Sequence, residues 1–194
     1  MKTNTKTGKV VGLGLFTAIV VVLQLLGAFI KFGPFSITLV LAPIVIGAAL
    51  YGIGAGAFLG LVFGVAVLIS GDAGAFLTIN PIATVGVVLL KGMLAGLSAG
   101  MVYSLVQKAS KLGGVIVAGI VCPVVNTGVF LIGCYLFFQE WLVAVFGTTG
   151  FTTVVAGLVG INFVIELGTN LVLSSAIVKI IDLGKKQLKQ KQKS

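Results

Sequence analysis

The sequence predicts an all-α integral membrane protein in which six transmembrane helices form a bundle, with both termini in the cytoplasm. Two features of the composition predict this class: 58% of the 194 residues are hydrophobic and only 9% are charged, and the mean hydropathy is +1.23. Soluble domains carry about 25% charged residues, so this chain has too few polar side chains to cover an aqueous surface. Its apolar runs do not alternate with polar residues as outer-membrane barrel strands do. We interpret residues 1–194 as a single transmembrane domain.

Six apolar segments are separated by turns rich in Gly, Pro, Asn and Asp. The predicted helices are 9–31, 36–52, 54–71, 82–106, 112–138 and 152–182. The first apolar run, from Val10 to Ile30, is longer than the 7–15 residues of a signal-peptide core, so we expect it to be a retained span. The second and third segments are joined by a short Gly turn, which predicts a hairpin.

Lysine placement predicts the orientation. With the N-terminus inside, eleven lysines lie in cytoplasmic segments and one, Lys31, lies in an outer loop, while Lys91 lies within a span. Positive residues accumulate on the cytoplasmic side of membrane proteins, so the net charge of +9 is interpreted as a topology signal and not as a nucleic-acid surface. The basic tail 183–194 is interpreted as a cytoplasmic anchor near anionic lipid, with a partner contact as the alternative. The predicted outer loops are 31–36, 70–82 and 139–152.

Two spans carry tandem small-residue motifs. Such stripes let two helix backbones approach closely. We predict that they pack helices together within the bundle. The glycines are Gly56, Gly60 and Gly64 in the third span and Gly92, Gly96 and Gly100 in the fourth.

Polar residues inside or at the edge of the spans are candidates for a substrate-binding site. Ionisable groups within a membrane are rare and face the bundle interior or a cavity. At 1.5 Å per residue, Lys91 and Glu166 lie about 15 and 21 Å from the outer ends of their spans. One interpretation is a buried Lys91–Glu166 pair; another is a pocket for a hydrophilic solute, reached from outside; a third is an ion pathway through Glu166. The candidate residues are Asn80, Lys91, Asn126, Asn162 and Glu166.

Several chemistries lack their sequence signatures. The chain has no His, so His-ligated metals and His-based catalysis are excluded. It has no P-loop, HExxH or GxSxG motif. We therefore expect that the chain is not an enzyme, that it holds no metal or cofactor, and that it does not itself bind ATP through a P-loop. The two halves show no convincing inverted repeat, which weakens the case for a self-sufficient secondary transporter.

Three stretches carry a family resemblance: GLGLFTAIVVVLQLLG (12–27), FSITLVLAPIVIGAALYGIGAGAFLGLVFG (35–64) and INPIATVGVVLLKGMLAGLSAG (79–100). Together with the predicted topology, they resemble the substrate-binding S components of energy-coupling factor (ECF) vitamin transporters. The resemblance covers nearly the whole chain. It implies a cell-membrane protein that captures a vitamin at the outer side and docks on a transmembrane coupling subunit. Two cytoplasmic ATPases drive that subunit, and the S component topples in the membrane to deliver its cargo.

The resemblance also implies residue roles. The docking surface on the coupling subunit would include Gly14 and Ala18, where the family often has Ala-x-x-x-Ala. The vitamin would bind among the five polar candidates. Lys91 suits a carboxylate and the Asn side chains suit hydroxyls and amides, so the resemblance leans toward the pantothenate members. Riboflavin, folate or hydroxymethylpyrimidine as ligand, a stand-alone ion-coupled transporter, and a purely structural subunit are the alternatives.

Overall fold

The computed structural model of the chain describes residues 5–29, 31–32, 35–36, 39–159, 164, 167–168 and 178–183. Within these residues the protein is helical apart from turns and one pair of two-residue strands. Residues 178–183 are helical as well. The elements in chain order are α1 (Thr5–Gly27), β1 (Lys31–Phe32), β2 (Phe35–Ser36), α2 (Leu41–Tyr51), α3 (Ile53–Ser70), α4 (Gly74–Ile79), α5 (Pro81–Val106), α6 (Lys111–Phe137), α7 (Gln139–Phe146) and α8 (Phe151–Val159).

Four helices in the described part of the chain are long and apolar enough to cross a bilayer. A hydrocarbon core of about 30 Å needs about 20 residues of helix. These helices support the predicted class, a multi-pass helical membrane protein, while the count of six spans and the cytoplasmic termini stay predictions. The four segments are Thr7–Gly27, Ile53–Ser70, Pro81–Val106 and Lys111–Phe137.

The bundle has two distinguishable ends. Antiparallel packing of α3, α5 and α6 brings α4 and α7 together at one end, where the Phe76 and Trp141 rings lie 4.6 Å apart. We call this the loop-rich end. At the opposite end, which we call the lysine-rich end, Lys111 forms a 2.8 Å salt bridge with Asp182. Phe151 contacts Tyr135 near the other end of α6, with ring centroids 6.2 Å apart.

The prediction of a second helix over 36–52 is wrong at its N-terminal end and makes the helix too long. Phe35–Ser36 pairs antiparallel with Lys31–Phe32, and the helix begins only at Leu41. Hydrophobic periodicity cannot separate extended from helical backbone in a short apolar run, which explains the error. At 11 residues α2 is about 16 Å long, too short to span a bilayer alone. It is instead the core of the bundle: every residue from Leu41 to Ala49 is buried, with α1, α3, α5 and α6 around it.

The predicted packing role of the tandem glycines is confirmed. The two stripes face each other across the α3–α5 interface, so that a Cβ added to Gly60 would collide with the carbonyl oxygen of Gly92, and one added to Gly56 with that of Gly96. At Gly64 the added atom would lie 2.9 Å from the Val88 carbonyl oxygen. The backbones touch because no side chain separates them, and this contact fixes the register of α5 against α3.

Two of the predicted outer loops contain short helices that the sequence did not predict. The 70–82 connection holds α4, which follows Gly71 in the left-handed conformation (φ 84°). The 139–152 connection holds α7, which ends at Gly147 with φ 69°. Both helices place aromatic side chains over the loop-rich end of the bundle.

Candidate functional site

Of the five predicted site residues, Lys91 is the charged one that the structure describes, and it lies in the middle of α5. It lies three residues after Val88 and directly before Gly92 on α5, beside the glycine contact with α3. Its ammonium Nζ lies 4.9 Å from the ring centroid of Phe130 on α6 and 5.8 Å from that of Phe63 on α3. Both distances fall within the range of cation–π attraction, about 0.5–2 kcal/mol each depending on desolvation. The two rings therefore hold a positive charge between three helices.

Asn126 lies on the same face of α6 as Phe130, four residues earlier. That face is turned toward α5, because Gly133, a further turn along, packs against Val87. Asn126 is only 6% exposed, and its Oδ1 has no hydrogen-bond partner among the described residues. A buried acceptor without a donor costs about 1–3 kcal/mol. Lys91 and Asn126 thus present a cation and an unsatisfied acceptor at one helix interface.

An aromatic cluster adjoins Lys91 on its loop-rich side. Its centre is Phe76 of α4, whose ring lies 5.4 Å from Phe130, 5.0 Å from Phe138 and 4.6 Å from Trp141. These centroid separations are those of stable edge-to-face and tilted pairs. The cluster separates the level of Lys91 from the surface of the loop-rich end, and it depends on the placement of α4.

Asn80 has a local structural task. Its Oδ1 accepts a 3.0 Å hydrogen bond from the backbone N–H of Ala83, so it is the N-cap of α5, with Pro81 at the first helical position. The Thr84 hydroxyl donates to the Asn80 carbonyl oxygen at 2.7 Å. Eleven residues of helix separate Asn80 from Lys91, about 16 Å. The structure accounts for Asn80 as a cap, and its role in ligand binding stays a prediction.

Asn162 and Glu166 lie outside the described residues. The predicted pairing of Glu166 with Lys91, and the place of Asn162 in the pocket, therefore stay predictions. Among the described residues, no group of three or more His, Cys, Asp and Glu side chains could hold a metal ion.

The predicted docking residues lie on the exposed side of α1. Gly14 and Ala18 are exposed, and a Cβ added at Gly14 would meet nothing within 4 Å. Gly12, by contrast, packs directly against the Tyr51 side chain. The small residues of α1 thus face in two directions, and Gly14 and Ala18 share the outward stripe with Leu15.

The structure adds polar contacts that sequence reasoning missed. Gln24 of α1 is 2% exposed, and its Nε2 donates to Asp72 Oδ2 at 2.7 Å and to Ser70 Oγ at 3.4 Å. A single Gln in an otherwise apolar span was the available signal, because a buried amide needs partners. The sequence could not identify Asp72 as the partner, because it lies 48 residues away in the connection after α3.

These features define a class: a multi-pass helical membrane protein with polar and charged side chains between its helices. The family model of the ECF transporter substrate-specific component matches residues 9–179. The chain therefore belongs to the ECF transporter substrate-specific component family, and it is a substrate-binding transport subunit that associates with coupling and ATPase subunits. No curated protein matches the chain in sequence.

Proposed function

We propose that the protein binds pantothenate at high affinity on the outer side of the cell membrane and hands it to an ATP-driven importer. The observation that supports this most is the placement of Lys91 and Asn126 on facing helix surfaces. A ligand for such a site carries an anionic group and at least one hydrogen-bond donor. Pantothenate has one carboxylate, two hydroxyls and one amide N–H, which matches both requirements.

The chemistry assigns a role to each group. The Lys91 ammonium would bind the carboxylate, with the rings of Phe63 and Phe130 beside it to exclude water and strengthen the attraction. The Asn126 Oδ1 would accept a hydrogen bond from a ligand hydroxyl or amide, which removes the cost of its unsatisfied state. Asn80, Asn162 and Glu166 complete the proposed set. A cationic vitamin is disfavoured because Lys91 would repel it.

The proposed partners follow from the family and from α1. The exposed stripe with Gly14 and Ala18 would dock on the transmembrane coupling subunit, since small residues permit close helix contact. Two cytoplasmic ATPases would supply the energy, and the lysine-rich end would face them. The lysine distribution along the sequence favours both termini in the cytoplasm as well.

A ligand panel tests the proposal. Purified full-length protein in detergent is titrated by calorimetry with pantothenate, riboflavin, folate and hydroxymethylpyrimidine. We expect one pantothenate per chain and at least a hundredfold weaker binding of the other three. Tight binding of another panel member would replace pantothenate as the substrate. No binding to any of them would refute the role as a vitamin-capturing subunit for these ligands, and a proton- or sodium-driven flux by the reconstituted protein alone would favour an ion-coupled transporter.

A further inference from the structure

The hydrogen bond between Gln24 and Asp72 joins α1 to the connection between α3 and α4. At 2.7 Å it has the length of a charge-assisted bond, with the amide N–H as donor and the carboxylate as acceptor. Ser70 is oriented to support it: its hydroxyl donates to the Val67 carbonyl oxygen at 3.0 Å, which leaves its oxygen directed toward Gln24 as a second acceptor. A buried amide is thus satisfied by two groups of a different segment.

Apolar side chains line α1 and α3 next to this bond. An apolar groove of about 300 Å³ lies between the two helices next to the bond. Its lining includes Val21 and Leu25 of α1 and Val62 and Ile69 of α3. Side chains that line a gap lose the dispersion contacts that close packing gives. Of the four membrane helices described, α1 is also the least covered: 17% of its most apolar window is buried, against 33–44% in the others. The Gln24–Asp72 bond is a polar link between this sparsely covered helix and the loop-rich end.

A continuous chain of contacts leads from this bond to the candidate site. Asp72 lies two residues before α4, and the next residue, Ala73, is buried in the bundle core. The Ala73 carbonyl oxygen accepts the Phe76 N–H at 3.0 Å, which sets the first turn of α4. The Phe76 ring contacts Phe130, and Phe130 contacts the Lys91 ammonium. Displacing Asp72 would displace the ring that covers the Lys91 level.

We propose that Gln24 and Asp72 are positioning residues, whose hydrogen bond holds α4 and Phe76 over the Lys91 site and so makes the lifetime of a bound ligand depend on the position of α1. The part that concerns a ligand rests on the proposed function; the part that concerns α4 does not. A partner that moves α1 away from α3 would break the bond and loosen the cover of the site from a distance.

Hydrogen exchange tests the structural part without any ligand. The variants are Gln24→Leu, which removes the donor at similar volume, Gln24→Glu, which sets two carboxylates against each other, and Gln24→Glu combined with Asp72→Asn, which reverses donor and acceptor. Losing a hydrogen bond to a charged group shifts a local opening equilibrium by about tenfold or more. Amides of residues 74–80 should exchange about tenfold faster in both single variants. The double variant should exchange more slowly than Gln24→Glu alone, because a hydrogen bond is restored.

The matched control is Lys111→Gln, which removes an interhelical polar contact at the lysine-rich end and should leave exchange in residues 74–80 unchanged. Unchanged exchange in Gln24→Leu, or no rescue in the double variant, would overturn the proposal. The rate of pantothenate dissociation, measured by stopped flow, should rise in Gln24→Leu. In the double variant this rate should be lower again, as the exchange rate is. If wild-type protein binds no pantothenate, the proposed function fails, and the exchange measurement still decides whether the bond positions α4.

Discussion

Replacing Lys91 by Met tests whether its ammonium binds a ligand carboxylate. Both ring centroids, at 4.9 and 5.8 Å from Nζ, lie within cation–π range, so the charge lies beside aromatic side chains of α3 and α6. Removing one partner of a buried ion pair costs about 3–5 kcal/mol, which corresponds to a rise in Kd of about 150- to 5,000-fold. Methionine retains the volume and contacts aromatic rings through its sulfur, so the rings keep a neighbour.

The assay compares pantothenate with pantothenol, its uncharged alcohol analogue, by calorimetric titration of both proteins. For pantothenol, the variant would remove only a hydrogen bond between the ligand hydroxyl and the charged donor. That loss is about 1.5 kcal/mol at the lower end, which corresponds to a tenfold rise in Kd. Lys91→Met should therefore weaken pantothenate much more than pantothenol. Lys111→Met serves as the control, because that lysine is exposed at the lysine-rich end, about 28 Å along α6 from Phe130. Equal losses for the two ligands, or no loss for pantothenate, would refute the carboxylate role, provided that thermal melting shows a folded variant.

Three further predictions concern other parts of the molecule. Asn126→Leu should raise the melting temperature of the ligand-free protein, because it removes an unsatisfied buried acceptor that costs about 1–3 kcal/mol. The same variant should bind pantothenate more weakly in titrations. A lower melting temperature with unchanged affinity would contradict this prediction. Gly92→Leu should lower the melting temperature strongly, because the Gly60 backbone occupies the space that the side chain needs. The control is Gly86→Leu on the same helix, which should be tolerated because a Cβ there meets nothing within 4 Å. Equal melting temperatures of the two variants would argue against the glycine contact. Gly14→Leu should leave pantothenate binding intact but reduce copurification with the coupling subunit, and undiminished copurification would remove that residue from the docking surface.

The sequence identified Lys91 and Asn126 as candidates, but it did not show what surrounds them. Lys91 and Asn126 stand out in the sequence because polar groups in apolar spans are expensive. Their aromatic surroundings, Phe63 and Phe130, do not stand out, because Phe is common in membrane helices and only helix register brings these two rings to one ammonium. Asn80 shows the opposite case: its polarity suggested a ligand contact, whereas a helix cap accounts for it locally.

Composition and segment length predicted the membrane class and the helical architecture, and the spacing of small residues predicted close helix packing within the bundle. All of these signals act locally along the chain. The tertiary structure decided that α2 is a short buried core element, that α4 and α7 carry an aromatic cluster, and that Gln24 binds Asp72. Each of these depends on contacts between residues distant in sequence, whose free energies no local pattern records. The same dependence applies to the site: the sequence supplies the charge on Lys91, and the packing of α3, α5 and α6 decides what surrounds it.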